Sequence, residues 1–137
     1  MPVTDDELMA EILETSETIA VVGCSSTPGK AAHDIPKYLL EAGYDVIPVN
    51  PFAETIFGRD AYDSLLAVPD EVDVVNVFRP GEEVPDIVES ALDREDDAVI
   101  WLQEGITHDE SARKAEAAGR QFVQDRCMKV EHQRLLG

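Results

Sequence analysis

The stretch Thr18-Ile-Ala-Val-Val-Gly-Cys-Ser-Ser-Thr-Pro-Gly-Lys30 decides the fold. Its apolar run ends at Gly23 and passes through small hydroxyl residues to a Pro28-Gly29 turn. It then opens into a segment in which Ile35, Leu39 and Leu40 recur at helical spacing. The layout is a strand, a loop and a helix start. At such a junction the free backbone N–H groups and the positive end of the helix dipole favour an anion. The loop therefore reads as a cradle for the phosphates of a nucleotide-like ligand.

Upstream, Thr4 and Glu7 have capping-box spacing, and Leu8, Ile12 and Leu13 give a helical face to about residue 15. Downstream, a helix over about Ala31 to Ala42 stops at Gly43, and Tyr44 to Val49 reads as the second strand. Thr55-Ile-Phe57 suggests a short strand before Gly58, and Ser64 to Pro69 one helical turn. Val72 to Phe78 is rich in β-branched residues and too apolar for a half-exposed strand, so it is expected at the centre. After Arg79-Pro80-Gly81, the residues Val84, Ile87, Val88 and Leu92 mark a helix. Ala98 to Leu102 is a further buried strand, His108 to Ala118 a helix stopped by Gly119, and Gln121 to Gln124 a last short strand before an irregular tail. This alternation predicts an α/β chain: a Rossmann-like, doubly wound, mostly parallel sheet of five or six strands with helices on both faces. The expectation is one domain over residues 1–137.

The chain has 137 residues and carries 29 Asp plus Glu against 11 Lys plus Arg, a formal net charge of -18. The acids are dispersed along the polar faces of the helices rather than gathered in one patch. A decoy for a basic partner is one reading of this surface. The favoured one is an acidic, lysine-poor, halophilic surface suited to a salt-rich cytoplasm, where counterions screen self-repulsion. No basic stripe is available to neutralise nucleic-acid phosphates. No apolar run approaches the roughly 20 residues that span a bilayer, so no membrane partner is expected. The acidic N-terminus lacks the pattern of a signal peptide, and Cys24 and Cys127 fit neither a disulfide framework nor a zinc spacing. The expected location is cytoplasmic.

Ligands of parallel sheets bind beyond the carboxyl ends of the strands. Here those ends carry Gly23, Cys24, Ser25 and Ser26, then Lys30 across the turn; Asn50 and Pro51; Phe78, Arg79 and Pro80; and Gln103 with Glu104. Gly23 and the two serines suit close approach to a diphosphate, and Lys30 and Arg79 can neutralise it. Trp101 is expected in the core, with Gln103 reaching the rim. The loop is not the dinucleotide fingerprint, since its second and third glycines are missing and Asn50 stands where a ribose-binding acid belongs. It is not a Walker loop either, because Lys30 lacks the required glycine spacing and is followed by Ala31.

Five ordered blocks carry a more specific resemblance. They are Val21-Val-Gly-Cys-Ser-Ser-Thr-Pro-Gly-Lys30, Gly43-Tyr44 with Ile47-Pro-Val-Asn-Pro51, Val77-Phe-Arg-Pro80, Trp101-Leu-Gln103 with Gly105, and Asp125-Arg-Cys-Met-Lys-Val-Glu-His132. Together they resemble the small stand-alone CoA-binding proteins. These are similar to the N-terminal CoA-binding domain of the succinyl-CoA synthetase α subunit and of ADP-forming acyl-CoA synthetases. The resemblance implies a Rossmann-like domain binding coenzyme A or acyl-CoA. It places Gly23 to Ser26 at the diphosphate with Lys30 nearby, and Asn50 and Pro51 by the 3′-phosphoadenosine. Phe78 to Pro80 and Gln103-Glu104 would line the path of adenine or pantetheine.

No catalytic constellation stands out. His33, His108 and His132 lack an acid partner at a recognisable spacing, and the phosphorylated histidine of the synthetase relatives belongs to a further domain. Cys24 is the better candidate for reactivity, because a thiol beside a helix N-terminus can have a lowered pKa; Cys127 is expected to be buried and inert. The leading expectation is a non-catalytic CoA-binding module acting as sensor, carrier or regulator. The alternatives are a subunit that needs a ligase-type protein partner, and an NAD- or nucleotide-responsive regulatory domain. A homodimer is a further partner state to consider.

A net charge this large makes stability depend on salt. At about 0.01 M salt the Debye length is roughly 30 Å, the scale of a whole small domain, whereas at 1 M it is about 3 Å. Circular dichroism melts from about 0.1 to 3 M KCl are expected to show a rising melting temperature. A flat or falling series would refute the salt-adapted reading.

Overall fold

The computed structural model describes all 137 residues. Helix α1 (Asp6–Thr15) is capped by Asp5, whose carboxylate accepts the Glu7 N–H at 2.8 Å. The cap thus lies one residue later than the Thr4 capping box read from sequence, and Asp5 brings a negatively charged acceptor to the positive helix end. Strand β1 (Thr18–Val22) leads to α2 (Ala31–Glu41), followed by β2 (Asp45–Val49). The single short strand expected at Thr55–Phe57 is half of a hairpin, β3 (Thr55–Ile56) against β4 (Arg59–Asp60). Phe57 and Gly58 form its turn, both with positive φ. The remaining elements are β5 (Val74–Val77), α3 (Val84–Asp93), β6 (Val99–Leu102), α4 (Asp109–Ala117), β7 (Phe122–Val123) and α5 (Met128–Leu135).

The main sheet has five strands in the order β2-β1-β5-β6-β7, and every pairing is parallel. Its inner strands are buried on both sides, as the continuous apolar runs of β5 and β6 require. Alternate residues feed two cores. Ala20, Ile47, Val75 and Ile100 pack with Val84, Val88, Ala112 and Ala115 of α3 and α4. Ile19, Val46, Val74 and Trp101 pack with Met9, Leu13, Leu39 and Met128 of α1, α2 and α5. Helices therefore cover both faces, and Trp101 lies in the core as expected, its Nε1 donating to the Arg126 carbonyl at 2.8 Å. No helix is long and apolar enough to cross a membrane.

The expected irregular tail is instead α5. Its sequence is too polar to announce a buried face, and side-chain bonds hold it. Tyr38 Oη lies 2.7 Å from His132 Nδ1. Arg134 donates to Asp6 and Glu131, and its guanidinium holds the Asp6 carboxyl below the usual range. His132 packs edge-on against Tyr38 and Tyr44.

At the opposite end of the sheet from the candidate rim, Arg94 ties α3 to the preceding connection. Its guanidinium donates to the carbonyls of Leu65 (2.7 Å), Val68 (2.9 Å) and Asp70 (2.7 Å) and to Asp96 Oδ2 (2.8 Å). Both side chains are buried, at 8% and 6% exposure. Burial alone would raise the Asp96 carboxyl, but the Arg94 guanidinium and the Val72 N–H outweigh it and hold its pKa below the ordinary value. Such a group stabilises the fold fully above its unfolded value of about 3.9, and the contribution is lost as pH falls through the lower folded value. Arg94→Met strands three carbonyls and a buried carboxylate. It is expected to cost about 3–5 kcal/mol near neutral pH, read as a lower urea midpoint. The gap from the unsubstituted protein should narrow below about pH 3.9; a constant gap would remove Asp96 from the account.

Candidate functional site

Register brings the strand ends into line. Val22 pairs with Val49 on one side and Val77 on the other, and Val77 pairs with Leu102. The residues that follow, Gly23, Asn50, Phe78 and Gln103, therefore start from one edge of the sheet. Strand β1 lies between β2 and β5, so the chain crosses to opposite sides of β1 there. That reversal in strand order is where open α/β sheets form their crevice.

The crevice is present, with a volume of about 360 Å³. Its floor is Val22, Gly23 and Val49. Asn50, Pro51 and Phe52 form one wall, Ser64 and Leu65 another, and Arg79 with Glu83, Asp86, Ile87 and Ser90 the third. Asn50 is fixed by two bonds. Its Nδ2 donates to the Cys24 carbonyl at 2.8 Å, and its Oδ1 accepts the Phe52 N–H at 2.8 Å. Gly23 has φ +89, and a Cβ there would lie 2.7 Å from Arg79 Cδ. Only glycine adopts this backbone freely while letting the Arg79 stem cross so close to the end of β1.

Beside the crevice, the loop from Cys24 to Lys30 is anchored at both ends. Ser25 N–H donates to the Ala32 carbonyl at 2.9 Å, and Ser25 Oγ accepts the Thr27 N–H. Gly29 N–H donates to Asp34 Oδ1 at 3.1 Å; that bond, with His33 adding to it, holds the Asp34 carboxyl below the usual range. The backbone N–H groups of Cys24, Ser26, Ala31 and Ala32 find no acceptor in the protein. They sit where the loop enters α2, whose N-terminal dipole favours negative charge.

The residues expected from sequence separate into groups. Gly23, Asn50, Pro51 and Arg79 line the crevice together. Ser25, Ser26 and Lys30 belong to the adjoining loop, with Ser26 and Lys30 exposed. Phe78 is half-buried and packs towards the α1–α2–α5 core, while Pro80 and Glu104 are exposed. Gln103 does not reach the rim. It is buried, and its Oε1 accepts the Met128 N–H at 3.4 Å, helping to start α5. Cys24 is fully buried, and burial pushes its thiol up to about 12, opposite to the lowered value expected at a helix start. Desolvation of the thiolate outweighs the dipole.

Sequence reading did not find Phe52, Asp63, Ser64, Leu65, Glu83, Asp86, Ile87 or Ser90 as crevice residues. A signal existed for part of this wall: positions 83, 86, 87 and 90 fall at helical spacing on one face. Arg79 is the one cation among the lining residues, against Asp63, Glu83 and Asp86. It is already engaged, donating from Nε to Glu83 Oε1 at 3.1 Å and from Nη2 to Oε2 at 2.7 Å. The pair holds Glu83 below the usual carboxylate range. The histidines have structural partners: His108 Nδ1 accepts the Ser111 N–H at the start of α4, and His33 packs on Phe57.

The CoA binding domain family matches residues 17–133. The chain is 39% identical over 122 residues to the uncharacterized protein YneT of Bacillus subtilis (strain 168), covering 89% of this chain and 90% of that protein. A hypothetical protein from Pyrococcus horikoshii OT3 shares the fold with a TM-score of 0.93 and 42% identity, over 100% of this chain and 97% of that one. Subunit alpha of the ADP-forming acetate–CoA ligase I of Pyrococcus furiosus is 39% identical over 85 residues, which cover 58% of this chain and 18% of the subunit. Matched over most of its length, the chain belongs to the CoA binding domain family.

Proposed function

We propose that this protein binds coenzyme A or an acyl-CoA without transforming it, as a sensor, carrier or regulator. The observation that carries the reading is the crevice at the β1–β5 strand reversal, adjoining unpartnered N–H groups at the start of α2. The diphosphate would lie on the loop from Gly23 to Ser26 with Lys30 beside it, and Arg79 would take a phosphate oxygen. The adenosine would occupy the crevice by Asn50 and Pro51, whose apolar floor and hydroxyl-bearing wall suit a base and a sugar. The exposed Pro80 and Glu104, with the half-buried Phe78, would border the way towards the pantetheine arm, whereas the buried Gln103 would act only through the backbone it holds. A buried, protonated Cys24 supports a binding role over thiol exchange. Asn50 in place of a ribose-binding acid argues against NAD as the favoured nucleotide.

The similarity to a much longer ligase subunit keeps a second reading open, a component completed by a ligase-type partner chain. Stoichiometric recovery of such a chain with the tagged protein would favour it.

CoA is expected to raise the melting temperature, because a ligand that binds only the folded state stabilises it by mass action. Equal shifts with CoA and NAD would overturn the CoA reading. Charge-assisted bonds are worth roughly 1.5–3 kcal/mol, but Arg79 is half exposed and must give up Glu83. Arg79→Ala is therefore expected to weaken CoA by about 5- to 30-fold, on the order of 1–2 kcal/mol, with little change in apo stability. Gly23→Ala forces a side chain into the left-handed region and against Arg79. It is expected to cost about 1–3 kcal/mol of stability and to weaken CoA as well. Calorimetric titration and urea unfolding read both effects; full affinity in both variants would move the site elsewhere.

A further inference from the structure

Arg79 meets Glu83 through two parallel N–H···O bonds, the same two-point contact that a guanidinium makes with a phosphate. The fork that a ligand phosphate would use is thus filled by a carboxylate. The two residues are joined only by the tight turn Gly81–Glu83, and their side chains are 46% and 45% exposed. They can part without disturbing the core. No second cation lines the crevice to receive Glu83, and Asp63 and Asp86 offer it nothing.

We propose that Glu83 is a specificity-determining residue of the crevice: its carboxylate stands in for phosphate on Arg79, and a nucleotide enters by exchanging its own phosphate for it. This rests on the reading of the crevice as a nucleotide site. A ligand without phosphate gains nothing from Arg79 and leaves the pair closed. A ligand with a phosphate takes the fork, but it must offset the lost pair and the freed carboxylate beside it. Glu83 thereby sets the affinity for phosphate-bearing ligands alone.

The test is calorimetric titration of CoA, ADP and adenosine into the unsubstituted protein, Glu83→Gln, Arg79→Ala and the double variant. Glu83→Gln is expected to bind CoA and ADP about 2- to 5-fold tighter, the scale of an exposed ion pair, with adenosine unchanged. In the Arg79→Ala background the gain should largely vanish. Unchanged melting temperature in Glu83→Gln checks that the fold is intact, as an exposed position should allow. No gain for either phosphate-bearing ligand, or an equal gain without Arg79, overturns the proposal. CoA binding without a gain in Glu83→Gln overturns the role of Glu83 and leaves the CoA reading standing. A gain with ADP in a protein that does not bind CoA does the reverse.

Discussion

A side chain at position 23 would be strained by its backbone and would push against the Arg79 stem, and the crevice wall depends on its absence. A Cβ there would meet Arg79 Cδ at 2.7 Å, Arg79 Cγ at 3.2 Å and the Phe78 carbonyl at 3.3 Å. The crowding follows from the sheet. With Val22 in register with Val77, the chain leaving β1 and the chain leaving β5 start level and side by side. One must turn away immediately, and Gly23 does so with φ +89. Arg79 can then cross the end of β1 with its stem packed on the glycine and its guanidinium at the crevice wall. Fold and site are joined at this one contact.

The neighbouring loop depends on a second backbone constraint, placed inside α2. Pro36 has no N–H, so the carbonyl four residues earlier, that of Ala32, has no helical donor. That carbonyl accepts the Ser25 N–H at 2.9 Å. A residue that would weaken an isolated helix thus supplies the acceptor that fastens the loop to the helix start. Asp34 secures the other end through Gly29. Between the two anchors the remaining N–H groups are held in place without being used up.

Much of this was legible in the sequence because strand ends and breaks carry strong local chemistry. The apolar run closed by Gly23, the Asn50-Pro51 stop and the Arg79-Pro80-Gly81 break each mark one strand end, and parallel register does the rest. What escaped has a common cause: it depends on contacts distant in sequence. Helix α5 is polar, and it is held by Tyr38, Gln103 and Asp6, far away in the chain. Cys24 lies in the same core as Leu39 of α2 and Met128 of α5, a depth that no local pattern records. The side chain of Gln103 follows its strand into the core because Met128 waits there with a free N–H. Helical periodicity separates core from surface and not solvent from a shallow crevice, so nothing local marks the face of Glu83, Asp86 and Ser90 as a crevice wall.

The charge balance reaches function through the placement of the few cations. Arg94 is buried on Asp96, and Arg126 and Arg134 converge on Glu131. Arg59 pairs with Asp45 and Asp70, and Arg120 is buried against the carbonyls of Ala91 and Ala98. Arg94 and Arg120 are buried and cannot leave without loss of stability, while Arg59 and Arg134, though partly exposed, tie together segments distant in sequence. Arg79 differs. Its partner is close in sequence, the pair is half exposed, and its guanidinium bonds no other element of the fold. Exposed pairs contribute little to stability and are screened by salt. In a chain this acidic, cations at the strand reversal are scarce, and Arg79 is held there by a pair that solvent reaches rather than a buried one. That exposure is what allows an incoming anion to compete for it.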